Sequence, residues 1–374
     1  MLINSISKFM FNFTPMILSL LIMQVFILPD LFLTSKSEYL FFNFLLYSAL
    51  LYIHIFNTAC FNEQAISYSG NGQKIDILSF FVFFLIYFFI CVLYSVLQDS
   101  SFSIFIFLIL LYPVDFCVNA LRLVEKDKAI GMLLTIQAVS FYILYTTSAI
   151  NVFDSYTVAN LITFIVFLFI VDYKKFNASS FVFSLKRFSF FLSVSIPTLN
   201  RYLDKVFVLV FLALSLKASI YPYLALSGLI LLPLSVASKV LMRSYDVDYP
   251  IKKYCFALCL FFPFLLLIIF LLNYFGVRLI YEQNDNIGFS ALIIISAFKA
   301  FNFLEILTFS IYSKKLDFQS LSSKVSKCLS LITFILLLLG YVINVSLPEG
   351  SLLFLCGYFF ISFVLLVLSI KGDK

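Results

Sequence analysis

Tryptophan is absent from this sequence, and histidine occurs once, as His54. A single imidazole excludes a catalytic or metal centre built from several histidines. Charge is scarce too: Asp, Glu, Lys and Arg make up 12% of the 374 residues, about half the share in a soluble globular chain. The seven cysteines (Cys60, Cys91, Cys117, Cys255, Cys259, Cys328 and Cys356) form no C-x-x-C pair. Most lie in or near apolar runs, where cysteine acts as a small hydrophobe rather than a metal ligand or half of a disulfide. The turn-prone run Ser69-Gly70-Asn71-Gly72 lacks the Lys-Ser/Thr ending of a phosphate-binding loop, and nothing else in the chain supplies one. No nucleotide, metal or other cofactor is therefore expected.

What the chain does have is apolar length. Hydrophobic residues make up 63% of it, with 50 Phe and 22 Tyr. This is the composition of an all-α polytopic membrane protein, whose interfacial belts must be built from tyrosine. Windows long enough to span hydrocarbon fall near 10–33, 39–56, 76–97, 102–121, 130–150, 157–171, 188–214, 219–242, 254–276, 288–312, 328–345 and 351–370, about twelve transmembrane helices. No small-residue cleavage site follows the first window, which reads as a retained span rather than a signal peptide.

Sorting Lys and Arg between alternate loops gives an imbalance of roughly six to one. The poor set holds only Lys36, Lys217 and Arg278; the rich set includes Lys74, Lys174, Lys175, Arg243, Lys314 and Lys371. An even span number with both termini in the cytoplasm follows from the positive-inside rule. The same pattern assigns the net charge of +6 to topology rather than to nucleic acid. The charged connector 173–187 leaves six spans on each side, so residues 1–178 and 179–374 read as two six-helix lobes, the outline of a two-bundle transporter.

Charges inside the apolar windows are the candidate functional groups, because each costs roughly 2.5–3.5 kcal/mol at the centre of a spanning helix on insertion scales. The window 188–214 carries Asn200-Arg201-Tyr202-Leu203-Asp204-Lys205 near its middle, one turn after Pro197. Arg201 and Lys205 share a face, and an i,i+3 pair of Asp204 with Arg201 would leave a surplus cation to attract an anion. Lys299 and Glu305 lie in the tenth window, offset so that each needs a partner from another helix. Lys299 reads either as half of a buried bridge or as a third member of a cationic patch with Arg201 and Lys205. In the first half, Asp115 follows Pro113, with Asn119 one turn on. That is a plausible proton or sodium site, or else an Asp reached by interfacial water at a tilted helix end.

Three stretches together resemble the Wzx-type polysaccharide flippases of the multidrug/oligosaccharidyl-lipid/polysaccharide exporter superfamily. They are Asn200 to Lys205, the aromatic segment Ser219-Ile220-Tyr221-Pro222-Tyr223-Leu224-Ala225, and the helix end Phe275-Gly276-Val277-Arg278-Leu279-Ile280-Tyr281. The resemblance implies two six-helix lobes around a central cavity open alternately to each side. It also implies a bacterial inner-membrane protein that moves undecaprenyl-diphosphate-linked oligosaccharide units for O-antigen or capsule synthesis, in contact with a polysaccharide polymerase. A gradient of H+ or Na+ would drive it. Arg201, Lys205 and Lys299 would then hold the diphosphate, with Asn200, Tyr202 and Asn302 on the sugar, and Asp115, Asp204 and Glu305 would serve the coupling ion. Three rivals remain: a membrane polymerase or ligase, for which the external loops are short and poor in cations; a small-molecule antiporter of the same fold, whose sites are usually acidic; and a channel or non-transporting membrane scaffold.

Overall fold

The computed structural model of the chain describes residues 14–67, 75–123, 127–148, 150–171, 176–177, 202–210, 217–228, 251–282, 287–312 and 348–371, with Ile335 and Leu339. Windows near 188–214, 219–242 and 328–345 therefore lie largely outside the described residues. The described architecture is helical except for a two-residue parallel pair, in which β1 (Ile75–Asp76) bonds β2 (Phe176–Asn177). Four helices lie between these two segments. An even number of crossings returns the chain to the end from which it left, as this pairing requires.

The first helix, α1 (Thr14–Thr34), is interrupted by a π-helical stretch at Ile22–Ile27. Pro29 explains the interruption: in a regular helix its ring meets the carbonyl four residues back, that of Val25, and the π turn sits at that carbonyl. Ser35 then closes one helix and opens the next. Its hydroxyl accepts from the Glu38 amide (3.3 Å), the Ser-x-x-Glu spacing of a capping box. Helix α2 (Lys36–Ser67) runs 32 residues and outlasts its apolar window, because helical hydrogen bonding continues where hydropathy fades.

Helices α3 (Ile77–Leu97), α4 (Phe102–Leu123), α5 (Asp127–Thr147) and α6 (Val152–Ile170) follow as close-packed neighbours joined by short turns. Asp99, at φ 47°, makes the tight reversal between α3 and α4, a backbone region that Asp tolerates better than most side chains. Asn151 caps α6: its Oδ1 accepts from the Asp154 amide (2.9 Å) and its Nδ2 donates to the Asp154 carboxylate (2.8 Å). Further on come α7 (202–210), α8 (217–228), α9 (Ile251–Ile280), α10 (Phe289–Tyr312) and α11 (Pro348–Lys371). Glu282, at φ 49°, makes the left-handed turn after α9.

The chain divides into two compact units, Met1–Leu28 with Phe41–Ser195, and Pro29–Leu40 with Ile196–Lys374. In the first, Phe42, Phe107, Phe141, Phe153 and Tyr156 form one buried aromatic cluster, with Tyr156 edge-on to Phe141 at 4.9 Å. In the second, Phe32 and Tyr39 from the segment Pro29–Leu40 interlock edge to face with Tyr281, and Tyr39 also with Tyr221, at centroid distances of 5.3–6.3 Å. Sequence division alone would have left Phe32 and Tyr39 with the first half.

Polarity is inverted relative to a soluble fold. Phe169, Leu279 and Phe256 stand 86%, 80% and 68% exposed, while Asn43, Asn160, Asp204 and Asn273 are fully enclosed. Among the described residues six helices are long and apolar enough to cross a membrane: Thr14–Thr34, Phe80–Leu97, Phe102–Leu121, Lys128–Thr147, Val152–Ile170 and Phe256–Ile280. The protein is a multi-pass membrane protein whose outer face suits acyl chains. Four interior hydroxyls are satisfied on their own helices: Thr163, Ser227, Ser296 and Thr308 each donate to the carbonyl one turn back, at 2.6–2.8 Å.

Candidate functional site

Of the side chains that the sequence singles out, Asn200 and Arg201 lie outside the described residues. Tyr202, Asp204 and Lys205 open α7, and Lys299, Asn302 and Glu305 line α10, all within the second unit. Asp204 is fully buried and ion-paired to Lys299, itself 2% exposed. The expected pairing of Asp204 with Arg201 involves a residue that lies outside the described ones. The Asp204 carboxylate thus meets the neighbouring helix α10. Lys299 consequently enters the site already matched to a carboxylate, and not as an unneutralised member of a cationic patch.

Lys205, the next residue, goes elsewhere. Its Nζ lies 3.9 Å from where a Cβ would stand on Gly228 of α8. A Cβ at 228 would stand in ordinary van der Waals contact with the ammonium. Adjacent residues of α7 thus deliver charge to two different helices, Asp204 to α10 and Lys205 to α8.

Helix α10 carries its polar residues inward. Ser296, Lys299, Asn302 and Glu305 follow at three-residue spacing, each about 4.5 Å further along the axis, and all are buried. Glu305 accepts a hydrogen bond from the Ser362 hydroxyl of α11. Lys299 and Glu305, on one helix, therefore find their partners on two others, α7 and α11. Across α8 and α9, Ser227 and Asn273 meet at 3.0 Å, a second buried polar contact in the same unit.

The first unit holds its own polar interior. Asp115 is buried on α4, and Asn119 donates to its carboxylate at 2.8 Å and to its backbone carbonyl at 3.0 Å. Gln137 of α5 donates to the Asn160 side chain of α6 and, at 3.4 Å, to the Tyr156 hydroxyl. Tyr87 of α3 donates to the Leu108 carbonyl (2.8 Å) and stacks between Tyr52 and Tyr112 at 5.3 and 5.4 Å.

Sequence reasoning missed Ser362, Gln137, Asn160 and the Ser227–Asn273 contact. Asn273 did carry a signal, an amide inside the apolar run Leu271-Leu272-Asn273-Tyr274-Phe275. Ser362 carried none, because a hydroxyl can satisfy itself on its own helix anywhere in a span. Chemically, the second unit offers a buried ion pair, a second ammonium at a glycine, amides and hydroxyls. Those groups hold and exchange charge; among the described residues no three His, Cys, Asp or Glu side chains gather as metal ligands do.

No protein-family model matches this chain, and no curated protein is similar to it in sequence. Two solved structures match nearly its whole length. One is a MOP superfamily transporter from Pyrococcus furiosus, described as having a binding pocket of reverse polarity that suggests a different function. It is 13% identical, with a TM-score of 0.59, over 97% of this chain and 94% of that one. The other is a multidrug resistance MATE family transporter of the MOP superfamily in an outward-facing conformation, 12% identical, TM-score 0.58, over 98% and 96%. At these identities the likeness is one of fold: the chain folds as MOP superfamily transporters do.

Proposed function

We propose that this chain is a flippase for lipid-linked oligosaccharides. It would carry undecaprenyl-diphosphate-linked repeat units from the inner to the outer leaflet of a bacterial inner membrane, coupled to H+ or Na+ entry, for O-antigen or capsule synthesis. The fold supports transport, and the charge arrangement on α7 and α10 carries the choice of cargo. The sequence places Arg201 and Lys205 one turn apart on the stretch that also carries Asp204, and Asp204 in turn holds Lys299 of α10. Positive groups at that depth suit a diphosphate, whose own hydration must be replaced by fixed donors while its lipid tail remains in the bilayer. Asn200, Tyr202 and Asn302 would meet the sugars. Asp115, bonded to Asn119 in the other unit, is assigned to the coupling ion together with Asp204 and Glu305.

The fold alone does not choose the cargo. One structural neighbour is a multidrug transporter, and the other is described with reversed pocket polarity. The second reading is accordingly a small-molecule antiporter, favoured by the buried carboxylate of Asp115. The test is the pair of variants Arg201→Ala and Lys205→Ala in the native host. Flippase function predicts loss of surface polysaccharide at unchanged membrane protein level, with lipid-linked units accumulating on the cytoplasmic leaflet. Translocated but unpolymerised units would instead identify a polymerase or ligase. Full surface glycan with increased drug sensitivity would identify the antiporter.

A further inference from the structure

The Asp204–Lys299 pair is hard to explain as structure alone. Its members are 0% and 2% exposed. Withdrawing two such charges from water costs several kcal/mol per ion, and an apolar pair of similar volume often joins two helices equally well or better. The two side chains are also unequal. Asp204 carries its charge on one methylene and stands where α7 puts it. Lys299 carries its charge on a four-carbon stem that can be re-aimed. Around it, α10 presents a buried polar stripe, in which the hydroxyls of Ser296 and Thr308 are already bonded to their own helix.

We propose that Asp204 is a resident stand-in for the anionic group of the cargo. It occupies Lys299 while the carrier is empty, and a phosphate of the cargo displaces it, so that the ammonium passes from carboxylate to phosphate. The inference rests on the proposed reading that the cargo head group is an oxyanion. A diphosphate competes well because it offers more charge and more acceptor oxygens than one carboxylate. The exchange keeps Lys299 paired throughout, so the ammonium is at no stage left bare in an apolar interior. The displaced carboxylate becomes the group that takes up the coupling cation, which ties loading of cargo to loading of the ion. A neutral or cationic solute has nothing with which to draw Lys299 away, so the pair also selects against such solutes.

The test uses the purified full-length chain, with geranylgeranyl diphosphate as probe and geranylgeraniol as the uncharged control. Asp204→Asn removes the competing charge and keeps the shape. It should bind the diphosphate at least tenfold more tightly than wild type, with a larger ligand-induced rise in Tm, and the alcohol should bind all forms alike. The double variant Asp204→Leu with Lys299→Met keeps the packing without the charges, and should bind at least tenfold more weakly than wild type. This second variant decides the matter even if Asp204→Asn does not fold. Wild-type affinity in the double variant, or no gain in Asp204→Asn, overturns the exchange. Absence of diphosphate binding by wild type, with Lys205→Ala no different, overturns the oxyanion cargo and the exchange together.

Discussion

Asn119 turns its side-chain amide back on Asp115, donating to the carboxylate at 2.8 Å and to the backbone carbonyl of the same residue at 3.0 Å. They stand two and six residues beyond Pro113, whose missing backbone N–H deprives the Ile109 carbonyl of its helical donor in α4. Asp115→Asn preserves an acceptor for Asn119 and removes the charge. It should leave the folded protein intact and abolish dependence of transport on the pH gradient, measured in proteoliposomes. Unchanged coupling removes Asp115 as the ion-carrying group. Asn119→Leu should lower stability by roughly 1.5–3 kcal/mol, the range for a hydrogen bond to a charged group, read as a fall in Tm.

The cap on α6 makes a separate prediction. Asn151 both accepts from the Asp154 amide and donates to its carboxylate. Asn151→Ala should cost about 1 kcal/mol. Asn151→Asp keeps the acceptor but sets two carboxylates together, so its Tm should fall at neutral pH and recover at low ionisation of the pair. Equal Tm at both pH values would show that the donor side of the contact is irrelevant.

Gly276 of α9 stands against the Leu226 side chain of α8. A methyl on it would fall well inside the contact radius of the Leu226 Cδ2. Leu226 is itself buried and cannot swing into open space. Gly276→Ala should destabilise by roughly 1–3 kcal/mol, the cost of overpacking. Adding Leu226→Ala should recover part of that loss, so a double variant that melts below both singles would refute the contact.

Ser362→Ala removes the hydroxyl that α11 offers to Glu305. Loss of a donor to a buried carboxylate should cost roughly 1–3 kcal/mol. Glu305→Gln should be milder, because an amide still accepts from Ser362 and carries no charge to be desolvated. If Glu305→Gln proves the more damaging for transport while melting like wild type, the carboxylate serves ion movement rather than helix packing.

Legibility followed range of interaction. The windows at 76–97 and 102–121 correspond to Ile77–Leu97 and Phe102–Leu123, because polar turns bound long apolar runs there. Helix α6 begins at Val152, five residues before its window, since the cap formed by Asn151 and Asp154 reads as a polar gap. Apolarity measures membrane depth, not helix length, which is why α2 runs on to Ser67. The π turn near Pro29 left no trace in hydropathy. In the candidate site, the shared face of Asp115 and Asn119 was readable from their spacing. The partner of Asp204 was not, because it depends on α7 lying against α10, a contact between residues far apart in the chain.

The rings of Phe32 and Tyr39 belong with Tyr221 and Tyr281. A ribosome making this protein releases the first two long before the others exist, so the segment Pro29–Leu40 waits for the later half before it can settle. Expression of the C-terminal half from Ile196 onward would yield a fragment missing two members of its own aromatic knot. Co-expression of a peptide spanning the Pro29–Leu40 strap is the natural way to complete it.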